Sequence, residues 1–210
     1  MIFLFSLIFA FLIALLFQLA EKKRLFHYSY HDLFLVLLIA GCSYLLPPSQ
    51  HIGVWIGLLP LFYCVLDDLH TKTAYSLLPI GSLIIFLILS FNWLSLLLSL
   101  FIFIFFYVFS HRTNESFVGT GDAFFILPLS YLLGLNAPLG LLLSATLAGT
   151  VFSAVRLFRH EPFFAFFPAL FIGCFIVYTK WHISFFLGSS LGLFLLFSFL
   201  LFLINRRKRN

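Results

Sequence analysis

Apolar residues run along this chain in long unbroken blocks, and the polar positions are confined to the breaks between them. The blocks are 1–20, 33–47, 51–66, 75–91, 93–109, 123–135, 138–155, 163–179 and 183–204. A helix that crosses a bilayer needs about 20 predominantly apolar residues. The pattern therefore predicts an all-α, polytopic integral membrane helical bundle of nine apolar segments, with eight to nine spans. Several blocks are short for a perpendicular crossing and are expected to be thin, kinked or re-entrant. The block 123–135 is further interrupted by Pro128 and Gly134. The sequence divides into N-terminal helices (1–49), a central and late helical region, and a basic tail (205–210), all within one membrane domain spanning 1–210.

Composition strengthens this reading. The chain is 63% hydrophobic and 9% charged, where a soluble domain is about 25% charged. Its 32 Phe suit a lipid-facing surface. Cys42, Cys64 and Cys174 lie apart in apolar stretches with no CxxC, which argues against a zinc knuckle or thiol pair and for small buried hydrophobes. The first block has no basic residue before it; Lys22, Lys23 and Arg24 follow it. That order predicts a retained helix with its N-terminus outside, not a cleaved signal. Alternating spans then place Lys72, Arg112, Arg156, Arg159 and the terminal Arg206–Arg209 run with Lys22–Arg24 on the cytoplasmic side. Only Lys180 of the twelve basic residues falls outside. This agrees with the positive-inside rule and predicts a cytoplasmic C-terminus.

On the same topology all seven carboxylates face the cytoplasmic side. Glu21 tempers its basic neighbours, Asp32 suits the first turn of the second helix, and Glu115 and Glu161 fit solvated loops. Asp67, Asp68 and Asp122 differ, because each adjoins an apolar block. "YCVLDDLHTKTAYSLLP" closes the third block and opens the fourth, and "SFVGTGDAFF" leads into the sixth. Two blocks lie between Asp68 and Asp122, so the chain returns to one face and helix packing can bring the two together. An acid inside the apolar slab costs about 2.5–3.5 kcal/mol on insertion scales, so such residues are usually paired or functional. Two carboxylates sharing a proton can activate a water and protonate a departing amine. Gly119 and Gly121 leave the backbone beside Asp122 bare for an extended peptide. The same residues also suit a plain turn with a capping Asp, and both readings stand at this point.

Gly119-Thr120-Gly121-Asp122 resembles the GxGD motif of the type IV prepilin peptidases, which are membrane aspartyl proteases. Asp68-Leu69-His70-Thr71-Lys72-Thr73-Ala74-Tyr75 is similar to the family's first motif, an Asp at a helix end followed by D-L-x-x-x-x-I-P, and that register selects Asp68 over Asp67. "HEPFFAFFPALFIGC" (160–174) is similar to the late P-F-x-x-F-P segment. The resemblance covers about residues 50–180, a peptidase-like core. It implies Asp68 and Asp122 as the catalytic pair, with Gly119, Gly121, Asp67 and Pro168 binding substrate or shaping the site. It implies prepilin-like substrates cut at the cytoplasmic face of a bacterial plasma membrane, as in the competence-type peptidases of DNA uptake.

The chain departs from the family where Ala74-Tyr75 replaces Ile-Pro and where Phe124 stands at a position often held by Lys. It also lacks the cysteine-containing domain of the longer members that N-methylate their product, so methylation is not expected. Pro168-Ala169-Leu170 spells the PAL tripeptide of presenilin-type proteases. That group places its first Asp in the helix immediately before GxGD, whereas two blocks intervene here. Nothing requires a metal or organic cofactor: no HExxH occurs, and Ser76 and Ser144 have no Lys or His partner at useful spacing. The expected partners are prepilin-like proteins and membrane lipid, with no direct nucleic-acid contact. The oligomeric state is left open. The rival expectation is a non-enzymatic carrier or assembly subunit whose Asps cap helices or couple ions, or a degenerate, inactive peptidase.

Overall fold

The computed structural model describes residues 8–9, 11–13, 15, 30–47, 51–71, 77–113, 115, 119–158 and 166–207. The expectations for Lys22–Arg24, Lys72, Ala74-Tyr75, Arg159, Glu161 and the last three residues lie outside these. Eight long helices run in order among the described residues: α1 (Tyr30–Leu45), α2 (Ile52–Thr71), α3 (Leu77–Leu89), α4 (Trp93–Arg112), α5 (Thr120–Leu133), α6 (Ala137–Phe158), α7 (Phe167–Thr179) and α8 (Ile183–Arg207). A single 3-10 turn, Gly134–Asn136, joins α5 to α6. Residues 8–9, 11–13 and 15 are also helical, within the first predicted block, and no described residue is in a strand.

Four helical runs are long and apolar enough to cross a membrane: Ile52–His70, Trp93–Arg112, Thr120–Leu157 and Ile183–Phe202. The chain is by this measure a membrane protein. Leu33–Leu45, Leu77–Leu89 and Phe167–Thr179 are shorter. At 1.5 Å per residue a 13-residue helix reaches about 20 Å, well under the roughly 30 Å hydrocarbon layer.

Specific contacts fix the helix directions. α2 and α3 are antiparallel, because Gly53 meets Leu89 and Gly57 meets Phe86. α4 and α5 are antiparallel: the Tyr131 hydroxyl donates to the Ser90 carbonyl and accepts from the Asn92 N–H just before α4, and the Phe124 ring packs at a tilt against Phe103 further along. The 38-residue run from Thr120 to Leu157 is a hairpin and not one straight rod. Phe125 stacks on Phe167 at its start, while Gly140 touches both Leu133 and Cys174 past the bend. The reversal falls at Gly134, which has φ 55° and ψ −127°. A side chain is strained at such an angle, and a methyl there would also stand 2.9 Å from Ser95 Oγ. Pro128, the other expected interruption, is accommodated inside α5.

These directions sort the ends of the bundle. Asp68, Arg112, Asp122, Arg156 and the Arg206–Arg207 terminus of α8 lie at one end. Lys180 and the exposed aromatics Phe91, Trp93 and Trp181 lie at the other. The described basic residues therefore divide as the charge pattern along the sequence predicts.

The apolar core joins α1, α2, α5 and α7 through Leu35, Ile39, Trp55, Phe62, Phe125 and Phe171, all fully buried or nearly so. All three cysteines are free and buried. The large side chains of α4 and α8 are mostly exposed, as lipid-facing helices require. Where helices cannot gain from expelling water, they associate through small residues and interhelical hydrogen bonds. α6 follows this rule on two sides. Ser144 Oγ lies 3.0 Å from the Leu170 carbonyl of α7, Thr146 Oγ1 lies 2.8 Å from Ser190 Oγ of α8, and Thr150 Oγ1 donates to the Ser190 carbonyl at 2.9 Å. At Gly173 the neighbour is backbone, since a methyl there would lie 2.5 Å from the backbone nitrogen of Ser144. Gly173→Ala is accordingly expected to destabilise the bundle by about 1–3 kcal/mol. Gly188→Ala on α8, where a methyl meets nothing within 4 Å, is expected to cost nothing. Thermal unfolding of the detergent-solubilised variants checks the contrast.

Candidate active site

The two acids singled out by sequence enter their helices more deeply than the hydropathy pattern implies. α2 runs on to Thr71, five residues past the predicted block, and takes Asp67 and Asp68 into its last turns. α5 begins at Thr120, three residues early, and takes in Asp122. Hydropathy marks where apolar residues stop, whereas a helix ends where its backbone hydrogen bonds do. An acid can stay in the last turn when its carboxylate finds a donor.

Asp68 has such a donor. It is 7% exposed, and its Oδ2 accepts the backbone N–H of Phe167 at 2.9 Å. Phe167 is the first residue of α7, where N–H groups have no partner within the helix and the helix dipole favours an anion. The next residue, Pro168, has no N–H to leave unpaired and suits the first turn. Pro168 therefore starts α7 and does not kink it. Asp67 is the more deeply buried of the adjacent pair, at 1% exposed.

Asp122 is half-buried, three residues after Gly119. Its Oδ2 accepts the Gly119 N–H at 2.7 Å, so it caps the start of α5. The capping reading of the acid is thus physically true, and it leaves the second carboxylate oxygen to be assigned. Gly119 itself has φ −73° and ψ 156°, ordinary extended backbone. A methyl there would meet Asp122 Oδ2 at 3.5 Å, an ordinary contact. Neither backbone conformation nor internal crowding calls for glycine at 119.

The two acids arrive at the same end of the bundle from helices remote in sequence. The charge of Asp68 acts on Asp122, and so does that of Glu115. Glu115, expected only as a loop residue, is exposed and held at φ 58° by a turn in which its N–H donates to the Ser110 carbonyl at 3.0 Å. Cys64, one turn before Asp68 on α2, is buried in the field of both Asp67 and Asp68.

Phe167 links the two sides. Its N–H holds Asp68, and its ring stacks on Phe125 of α5 with centroids 4.1 Å apart and planes 16° apart. Phe125 is three residues from Asp122, less than one helical turn away. Further into the bundle Phe62 of α2 packs on Phe171 of α7 at 4.8 Å, which sets α2 against α7. Sequence reasoning missed Phe167, because the group that matters is a backbone N–H. The available signal was Pro168, which marks a helix start and hence an unpaired donor just before it.

Comparison with protein-family models, with curated proteins and with solved structures finds no match.

Phe124 is the residue at which the sequence departs from the pattern it was set against. Its ring lies against Phe103 and Tyr107 of α4, at 5.1 and 6.2 Å between centroids. Here the position serves the α4–α5 contact. Phe124→Lys is expected to lower stability by about 2 kcal/mol through lost ring packing. A thermal midpoint equal to that of the unsubstituted protein would show that these rings contribute nothing.

Proposed function

We propose that the chain is a membrane aspartyl endopeptidase, with Asp68 and Asp122 as its catalytic dyad. The observation that supports this most is the arrival at one end of the bundle of two acids from α2 and α5, helices remote in sequence, each acid held there by a backbone N–H. Like charges held together in a partly desolvated place favour the state in which one carboxyl keeps a proton. The charged member then takes a proton from the attacking water, and the neutral member gives one to the leaving amine. Gly119 fits a peptide-binding role because nothing in its own surroundings requires the absence of a side chain. Gly121 extends the same bare stretch. Asp67 and Pro168 shape the site, the first from within α2 and the second by starting α7.

In this reading the charged end faces the cytoplasm, the N-terminus lies outside, and the nine apolar segments form eight to nine spans of a bacterial plasma membrane. The substrates are prepilin-like proteins with a basic leader, cut beside their own hydrophobic helix. The sequence resemblance over residues 50–180 and the acidic site end support this substrate class. No metal or organic cofactor is assigned a role.

One observation favours a non-enzymatic reading: the Gly119–Asp122 bond gives Asp122 a purely structural task. Asparagine separates the two readings, because its side-chain oxygen can still accept the Gly119 N–H but the group cannot carry the proton. The test is co-expression with a candidate prepilin and comparison of substrate size on a gel. Asp68→Asn and Asp122→Asn are each expected to reduce processing by at least about a hundredfold at normal membrane levels, while Asp67→Asn retains it. Full cleavage by either of the first two variants would remove that Asp from the mechanism.

A further inference from the structure

The contacts of Phe167 point beyond the dyad itself. We infer that Phe167 is a positioning residue that sets the placement of the Asp68 carboxyl relative to Asp122, using its backbone N–H on one side and its ring on the other. This inference rests on the endopeptidase reading above.

The geometry is specific. The N–H donates to Asp68 Oδ2 at 2.9 Å, and the ring stacks on Phe125 at 4.1 Å. Phe167 is 2% exposed and Phe125 is fully buried, so neither ring can turn without displacing its neighbour. A shift of the ring moves the first residue of α7, and with it the donor that holds Asp68. Phe125 lies on the helix that carries Asp122, so the same shift changes the spacing of the two acids. α2 and α5 are thus coupled through one residue of a third helix. A backbone donor also favours the charged form of its acceptor, so the Phe167 N–H supports the Asp68 anion as the Gly119 N–H supports that of Asp122.

Other charged or titratable groups act nearby. Asp67 and Cys64 share α2 with Asp68, and Glu115 acts on Asp122 from the turn after α4. None of these is altered by substitutions at Phe167 or Phe125, which isolates the effect of the stack.

Two measurements test the inference on the full chain in membranes, with Phe167→Leu, Phe125→Leu and the double variant. The first is prepilin processing. Each single variant is expected to lower kcat by roughly ten- to a hundredfold, with KM within about twofold, since displacement of a catalytic group by about 1 Å costs on the order of a hundredfold. The double variant is expected to be no worse than either single one, because the rings act as a unit. The second is labelling of Asp68 and Asp122 by a hydrophobic carbodiimide, which reacts with protonated carboxyls, followed across pH by mass spectrometry. This readout needs no peptidase activity. Phe167→Leu is expected to raise the pH at which Asp68 becomes labelled, because loss of the donor's alignment removes support for the anion. Unchanged Asp68 labelling in both single variants, or additive kcat losses, would overturn the positioning role. If the unsubstituted protein processes no prepilin yet Asp68 labelling shifts as expected, the endopeptidase reading fails while the coupling of Phe167 to Asp68 stands.

Discussion

The bond from the Phe167 N–H to the Asp68 carboxylate is the contact on which the charged end of this bundle depends. A chain this poor in charge places an acid at 7% exposure in the last turns of a long helix. Left without a donor, a carboxylate there would carry a desolvation penalty of several kcal/mol. The start of α7 supplies the donor in the form best suited to an anion, an unpaired N–H at the positive end of a helix. Because the donor belongs to the backbone, the position of α7 relative to α2 follows from it. The stacking of Phe167 on Phe125 then carries the constraint into α5 and toward Asp122.

The rest of the bundle makes this arrangement possible by keeping short helices in place. α3 and α7 have 13 residues each and are too short to cross a typical hydrocarbon layer on their own. They are held by close approach to longer neighbours: Gly57 of α2 admits Phe86 of α3, and Gly173 of α7 admits the backbone of α6 at Ser144. A short α7 lets its first residue end level with the last turn of α2. The hydroxyl contacts of Thr146, Thr150 and Ser190 tie α8 to α6 on the far side, leaving the rest of α8 toward lipid.

Much of this was legible in the sequence. Each apolar block from 33–47 onward corresponds to one long helix, and the division of the described basic residues between the two ends follows the order of the chain. The arrival of Asp68 and Asp122 at one end was legible for the same reason, since two intervening segments return the chain to the same side. What hydropathy missed were the helix ends. It placed the acids just outside the helices, whereas backbone hydrogen bonding takes both inside. The role of Phe167 was hidden because an N–H is common to nearly every residue and reveals itself only when its partner is in place. Phe124 looked like a defect in the site when set against the family motif. Its contacts with Phe103 and Tyr107 give it a packing task on a different face of α5.

The endopeptidase proposal and the inference about Phe167 both require Asp68 and Asp122 to face one another. The most direct measurement replaces Cys42, Cys64 and Cys174 with Ala, introduces Asp68→Cys and Asp122→Cys together, and treats membranes with a short thiol crosslinker. Linked peptides from α2 and α5 are then sought by mass spectrometry. A high yield of the crosslink in the double variant, absent from each single variant, is the predicted result. Ready modification of both thiols with no link between them would contradict it.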